Sequence, residues 1–265
     1  MIDPTVRHPA DPVNAQRKRL DAIVTERGLL PSRQRARALI MAGSVRVDGR
    51  VVDKPGAWVA PASRVEVIGG DLPYVSRGGV KLEGALKSFE LDVTGWVCLD
   101  VGASTGGFSD CLLQRGAARV YAVDVGYGQF AWRLRQDPRV TLIERANIRY
   151  LPAERIPEPV DLAAVDVSFI SLKIVVPAVL KFLKPRGRLL TLIKPQFEVG
   201  KGQVGKGGVV ADAQQHAKVI AELDHCFRGL GLECSQAVPS PIDGPKGNKE
   251  FFMLLFFKPQ AELSV

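Results

Sequence analysis

The sequence predicts an α/β protein: a mostly parallel sheet with helices on its faces, an antiparallel strand at one edge, and a small α+β unit in front. Three observations predict it. From Val97 onward, short apolar runs alternate with helical stretches, the pattern of a sheet buried on both faces. The last two runs are separated only by a Pro- and Gly-rich stretch, too short for a crossover helix, so they are expected to pair antiparallel. Ahead of them, about 55 residues carry two short helical patterns and a hairpin signal of their own.

Residues 1–16 hold Pro4, Pro9 and Pro12 among scattered charges and read as a tail. Residues 17–70 form the small unit. Leu20, Ile23 and Val24 have helical spacing, and Gly28 ends that helix. Ser32 is placed to cap a second helix carrying Ala36, Leu39 and Ile40, which stops at Gly43. Val45 and Val47 alternate with polar residues, Asp48-Gly49 marks a hairpin turn, and Arg64–Ile68 reads as a further strand. Residues 71–80, bordered and punctuated by Gly69, Gly70, Pro73, Gly78 and Gly79, read as a linker, followed by a helix over 81–89. Residues 81–260 form the larger domain. Its expected strands are Val97–Val101, Val120–Val125, Val140–Ile143, Leu162–Val167, Arg188–Lys194, Ser235–Val238 and Phe251–Phe257.

The net charge of +8 is uneven, with +5 of it in residues 1–70. A compact basic segment points to a polyanionic partner. Arg33 and Arg37 lie one helical turn apart, Arg17, Lys18 and Arg19 open the unit, and Arg46 sits at the hairpin. A basic helix face beside a hairpin suits a phosphate backbone. The four cysteines form no CxxC pair and the three histidines no ligand-spaced cluster, so no metal site is expected and the thiols are expected to be free, in a reducing compartment. No run of about 18 apolar residues exists, the longest being near Phe251–Phe257. The expectation is a cytoplasmic protein without a membrane partner.

The sharpest local pattern is Leu99-Asp100-Val101-Gly102-Ala103-Ser104-Thr105-Gly106-Gly107-Phe108: a strand, a glycine-rich turn and a helix start. It lacks the GK[ST] ending of a phosphate loop and the GxGxxG spacing of a dinucleotide site. Asp100 lies at the strand's carboxyl end, where open sheets bind ligands, and Asp124 ends the next strand, where a carboxylate accepts hydrogen bonds from ribose hydroxyls. Four further polar residues stand out. Asp166 and Lys194 end the fourth and fifth strands. Lys81 precedes the first strand in SRGGVKL, and Glu250 starts the last in GNKEFF. The glycine-rich GKGQVGKGG, holding Lys201 and Lys206, follows Lys194 and reads either as a loop closing over a ligand or as a solvated one.

The acidic strand end followed by GxSxGGF resembles the first motif of Rossmann-like methyltransferases. That resemblance implies that Gly102, Ser104, Thr105, Gly106, Gly107 and Phe108, with Asp100, surround the amino acid portion of S-adenosyl-L-methionine, that Asp124 holds its ribose, and that Asn147 lies beside its adenine. The stretch RLDAIVTERGLLPSRQRARALIMAGSVRVDGRVV resembles the alpha-L RNA-binding module. The order Lys81, Asp166, Lys194, Glu250 is similar to the tetrad of FtsJ-like RNA 2′-O-methyltransferases. Together, SRGGVKL, LDVGASTGGFSDCLL, VDVSFISL, LIKPQFE and GNKEFF behind such a module resemble the TlyA family, also named hemolysin A. The resemblance spans about residues 17–258. It implies methylation of a ribose 2′-hydroxyl of ribosomal RNA, at cytidines of the 16S and/or 23S species, on RNA or ribosomal subunits.

Such a tetrad makes chemical sense. A ribose hydroxyl is a poor nucleophile, so alignment and proton handling dominate the problem. Lys194 is placed to stabilise the developing alkoxide, or to accept its proton if the amine starts neutral. Lys81 would favour the neutral state as a second cation, whereas Asp166 and Glu250 would oppose it. An amine-modifying enzyme would need a proline-pair motif where this chain has DVSF, and no cysteine is placed for attack on a base. Two other readings are a binding protein on an inactive methyltransferase fold, disfavoured by the intact loop and tetrad, and a membrane-active toxin, for which the sequence carries no membrane-inserting segment.

Overall fold

The computed structural model describes residues 17–257 apart from 42, 69–72, 201, 203 and 206. The expected tail over 1–16, the start of the expected linker, and Lys201 and Lys206 lie outside the described residues. The chain divides into two compact units, Met1–Leu72 and Pro73–Val265.

In the first unit, β1 (Lys18–Arg19) leads into α1 (Leu20–Glu26) and α2 (Arg33–Met41), followed by β2 (Val45–Val47), β3 (Arg50–Val51), β4 (Trp58–Val59) and β5 (Val65–Val67). Leu20, Ile23 and Val24 from α1 meet Ala36, Leu39 and Ile40 from α2, and Val45, Val59 and Val65 close the core beneath them. Ser32 Oγ accepts a hydrogen bond from the Arg35 amide at 3.2 Å, as the capping reading anticipates. Asp48 and Gly49 both have positive φ (49° and 78°), the geometry of a two-residue hairpin turn. They join β2 to β3 in a three-stranded sheet, β3–β2–β5, while β1 pairs antiparallel with β4.

The second unit opens with α3 (Arg77–Ser88). It continues with β6 (Val97–Val101), α4 (Gly107–Gln114), β7 (Arg119–Val123), α5 (Trp132–Arg135), β8 (Val140–Ile143), β9 (Val160–Val165), α6 (Leu172–Val179), β10 (Leu183–Ile193), α7 (Pro195–Glu198), α8 (Ala213–Gly229), β11 (Leu232–Cys234), β12 (Val238–Pro239) and β13 (Phe251–Phe257). The sheet runs β11–β13–β10–β9–β6–β7–β8. Strands β8, β7, β6, β9 and β10 are parallel, and β13 is antiparallel to both β10 and β11. The inner parallel strands β6, β7 and β9 are buried almost throughout, so they carry apolar runs rather than alternation. Two apolar layers cover the sheet. One is formed with α6 and α8, through Val176, Leu223 and Phe227; the other with α3 and α4, through Leu82, Leu86 and Leu112.

Two expectations need correction. The last strands do not form a simple edge hairpin. Phe251–Phe257 is second from the edge, because Leu232–Cys234 pairs along its outer side; of the expected strand Ser235–Val238 only Val238 joins it, in the short β12 (Val238–Pro239). Nor are residues 73–80 a linker. The helix begins at Arg77, a turn earlier than expected, and the residues ahead of it are pinned to the second unit. Tyr74 donates from its hydroxyl to Glu83 at 2.9 Å, the Val75 amide donates to Asp110 Oδ2 at 2.7 Å, and Gln114 donates to the Pro73 carbonyl at 2.9 Å. The glycines serve close packing: a β-carbon on Gly79 would fall 2.3 Å from the Tyr74 ring, and one on Gly107 would fall 2.2 Å from Ser76 Oγ. Among the described residues no helix is long and apolar enough to cross a membrane.

Candidate active site

The carboxyl ends of β6, β7, β9 and β10 carry the loops that hold most of the candidate residues, the end at which open α/β sheets bind ligands. After β6, the chain turns through Gly102 (φ +89°), Ser104 (φ +47°) and Gly106 (φ +92°) before α4 begins. Gly102 is obligatory on two counts: its positive φ, and the Asp166 carbonyl oxygen, which would lie 2.2 Å from any β-carbon there. The loop is therefore seated directly on the backbone at the end of β9, where the Asp166 amide also donates to the Val101 carbonyl at 2.9 Å.

Asp124 fixes the loop from the other side. Its Oδ2 accepts from the Ser104 amide at 2.7 Å and its Oδ1 from the Gly126 amide at 2.5 Å. Ser104 is exposed and Thr105 half-buried at the turn. Asn147 accepts from the Arg149 amide at 3.1 Å, capping the short helical turn after β8.

Asp100 sits under the loop rather than at its surface. It is fully buried, and its Oδ2 accepts from the amide and hydroxyl of Ser109 at 2.9 and 2.7 Å, near the start of α4. Burial pushes this carboxyl up to about 7, against the pull of the Ser109 hydrogen bonds, and the neighbouring Asp166 charge adds to the rise. Its Oδ1 has no hydrogen-bond partner among the described residues. Phe108 differs from expectation in kind. Its side chain faces the core and stacks on Phe252, with ring centroids 6.2 Å apart, so it packs α4 on the sheet instead of lining the loop. Gly106 and Gly107 are buried as well.

The four tetrad candidates form two ion pairs. Lys194 Nζ lies 2.5 Å from Asp166 Oδ1 and also donates to Ser168 Oγ at 3.0 Å. Lys81 Nζ donates to Glu250 Oε2 at 2.5 Å, with both side chains nearly or fully buried. The ladder brings the pairs to one place. Ile193 and Phe251 are the last register partners of β10 and β13, and Lys194 and Glu250 come next along their strands. Lys81 arrives on α3, whose first turn packs on the first turn of α4 through Gly78, Gly79 and Gly107. Glu250 Oε1 is buried without a hydrogen-bond partner, against Gly244, where a β-carbon would fall 2.0 Å from it.

The sequence reading missed several neighbours. Ser168 Oγ accepts a hydrogen bond from Lys194, which Asp166 Oδ1 meets only as an ion-pair partner. Phe169 is 90% exposed with φ +64°, and its ring lies 4.9 Å from that of Phe197, one turn beyond Lys194. An aromatic residue held in the left-handed region and open to solvent is a costly arrangement that the DVSFIS string alone does not announce. Glu198 accepts from Ser171 Oγ and the Leu172 amide and thereby braces the same region.

In the first unit, Arg17, Lys18, Arg33, Arg37 and Arg46 are all exposed. Lys18 pairs with Glu26 at 2.7 Å and Arg33 with Asp21 at 3.3 Å. Of the cysteines, Cys98 and Cys111 are free and buried, and Cys226 and Cys234 are free and partly buried. Burial pushes the Cys98 thiol far up and the Cys111 thiol up to about 12.

Residues 74–257 match the FtsJ-like methyltransferase family, and residues 18–65 match the S4 domain. The chain is 48% identical over 251 residues to the 16S/23S rRNA (cytidine-2′-O)-methyltransferase TlyA of Mycobacterium tuberculosis (strain ATCC 25618 / H37Rv), covering 94% of both proteins. It is 40% identical to Hemolysin A of Brachyspira hyodysenteriae over 88% of this chain and 97% of that one. A solved structure from Streptococcus thermophilus that bears a hemolysin name superposes with a TM-score of 0.72 at 41% identity, covering 94% of this chain and 92% of its own. The chain belongs to the FtsJ-like methyltransferases, in the TlyA family that joins such a domain to an N-terminal S4 domain.

Proposed function

We propose that this protein transfers the methyl group of S-adenosylmethionine to a ribose 2′-hydroxyl of ribosomal RNA, with cytidine in the 16S or 23S species as the target. The observation that carries the reading is the pair of lysine–carboxylate contacts, Lys194–Asp166 and Lys81–Glu250, held on adjacent strand ends beside the glycine-rich loop. The relatives' names supply the nucleotide and the substrate class.

The residues at the loop fit the cofactor. The turn through Gly102, Ser104 and Gly106 holds left-handed backbone with Ser104 exposed, Asp124 retains acceptor capacity for ribose hydroxyls, and Asp100 leaves one carboxyl oxygen unpartnered beneath the loop. When bound, S-adenosylmethionine supplies an electrophilic methyl group on a sulfonium. Asn147 is assigned to the adenine side. The chain's own task is to present the 2′-oxygen and handle its proton. An ammonium has three hydrogens. Ser168 takes one from Lys194, Asp166 sits beside the ammonium as its counter-ion, and a remaining hydrogen faces the ribose oxygen, where it stabilises the charge that develops as the hydroxyl proton passes to solvent. Asp166 fixes the direction of that amine. Glu250 holds Lys81 as a second cation at the same edge. The Phe169–Phe197 pair offers a stacking face for the base of the nucleotide being modified.

Arg17, Lys18, Arg33, Arg37 and Arg46 are assigned to the RNA phosphates, with ribosomal RNA or ribosomal subunits in the cytoplasm as the partner. The test is methyl transfer from radiolabelled S-adenosylmethionine to purified ribosomal subunits and to naked rRNA, with nucleotide mapping. Labelled 2′-O-methylribose that disappears with Lys194→Ala supports the reading. Cofactor binding without transfer to any rRNA substrate would overturn it.

A further inference from the structure

Trp58 is 65% exposed, although it belongs to a unit with a well-packed apolar core. It stands directly opposite Arg19 in the antiparallel pairing of β4 with β1. Cross-strand partners project from the same face of a ribbon, so the indole and the Arg19 guanidinium share one surface. The next residue, Val59, points the other way, into the core.

Arg19 does not wander. Asp21, only 1% exposed, accepts from Arg19 Nε on Oδ1 and from Arg19 Nη2 on Oδ2, each at 3.0 Å, and Oδ1 also accepts from Arg33 Nη2 at 3.3 Å. One buried carboxylate therefore holds two largely exposed guanidiniums at the surface, and the patch keeps a net positive charge after its single anion is counted. Arg33 belongs to the helix face that the sequence marks for phosphate contact. The indole thus extends an already basic face rather than standing alone on the opposite side.

A fixed aromatic face flanked by fixed guanidiniums is the arrangement that binds unpaired nucleotides: the ring stacks on a base and the cations hold the flanking phosphates. A duplex offers phosphates to the cations but no open base to the ring. We propose that Trp58 stacks on an unpaired base of the RNA substrate while Arg19 and Arg33 hold the adjacent phosphates. The proposal rests on the reading of the first unit as an RNA-binding one and adds to it a preference for a loop, bulge or flipped-out nucleotide at this face.

The test uses the full-length chain with two labelled probes of equal phosphate number, single-stranded oligocytidylate and a blunt oligo(C)·oligo(G) duplex, titrated across a range of salt. Trp58→Ala should weaken single-strand binding by about tenfold, within the range expected for one stacked base, with the salt slope unchanged because no charge is removed. Duplex binding should not change, and Trp58→Phe should retain most of the affinity. Arg33→Ala should instead weaken both probes and flatten the salt slope. If Trp58→Ala leaves single-strand binding intact, or weakens both probes equally, the stacking role is wrong while the basic face stands. If the wild-type chain binds neither probe at low salt, the RNA-binding reading itself fails and takes the proposal with it.

Discussion

Glu198 accepts a hydrogen bond from Ser171 Oγ at 2.6 Å, and with its other oxygen it accepts from the Leu172 amide at 2.8 Å. Burial raises this carboxyl's pKa, so the two bonds are made in a site that disfavours its charge. The contact spans two segments. Glu198 ends α7, which begins immediately after Lys194, and Ser171 caps α6, which begins shortly after Asp166 and Ser168. One side chain thus clamps together the two strand exits that carry the Lys194–Asp166 pair.

Removing that clamp should impair turnover without impairing cofactor binding. Glu198→Ala is expected to lower kcat by about 10- to 100-fold, the scale of a small misplacement of reacting groups, with the calorimetric affinity for S-adenosylmethionine unchanged. Glu198→Gln keeps an acceptor for the Leu172 amide and should restore part of the rate. A proportional loss of folded protein and activity in both variants would mean that the clamp serves stability alone.

Lys194→Ala should abolish methyl transfer while retaining cofactor binding, because Nζ contacts Asp166 and Ser168 and not the glycine-rich turn. Lys194→Arg should recover little, since a planar guanidinium directs its donors differently from an ammonium. Single-turnover methylation and calorimetry separate the two effects. Loss of cofactor affinity in Lys194→Ala would assign this lysine to the cofactor side.

Gly102→Ala should be far more damaging than Gly95→Ala. Both glycines have positive φ, but a β-carbon on Gly95 meets open space, whereas one on Gly102 falls 2.2 Å from the Asp166 carbonyl oxygen. Gly95→Ala should cost about 1–2 kcal/mol, the conformational penalty alone. Gly102→Ala should exceed it and also weaken S-adenosylmethionine binding. Denaturant unfolding of the two variants checks the difference; equal costs would mean that the loop shifts freely off the strand end.

Asp100 should leave a signature in the pH dependence of stability. Its folded pKa is raised to about 7, well above the ordinary carboxylate range near 3.8. The fold therefore favours the protonated acid. This contribution is fully present below the unfolded pKa and is lost as pH rises from about 4 through about 7. Asp100→Asn should remove that component, so the difference in melting temperature between wild type and variant should change across this window in cofactor-free protein. Parallel profiles over the window would show that the carboxyl is not perturbed in solution.

Arg33→Ala with Arg37→Ala should weaken rRNA binding most at low salt and reduce the slope of affinity against salt. Methylation of a saturating substrate should be affected less than binding. An unchanged salt slope would remove this helix face from the interface.

The parallel core of the fold was readable because each strand is an apolar run ended by a turn, and β6, β8 and the β2–β3 hairpin lie where the pattern puts them. That Asp166, Lys194 and Glu250 lie close together was readable because they stand at or beside strand ends, whose relative placement the sheet order determines. The early start of α3 was not, since Gly78 and Gly79 look like breakers until the packing they permit against Tyr74 and α4 is known. Position in a motif likewise could not separate Phe108, which turns inward onto Phe252, from Ser104, which stays at the surface. The Asp21 link between Arg19 and Arg33, and the Glu198 clamp, join residues whose partners only the folded chain brings into reach.

The seam between Gly102 and Asp166 is made of main chain on both sides. Side-chain substitution can reshape a pocket gradually, but a main-chain contact leaves no such adjustable intermediate. The spacing between the glycine-rich turn and the strand exit bearing Asp166 is consequently set by backbone alone. Under the proposed function, the choice of RNA and of nucleotide falls to surrounding surfaces such as the basic face of the first unit and the exposed ring of Phe169. The seam works as a fixed gauge, and the side chains around it can change without moving it.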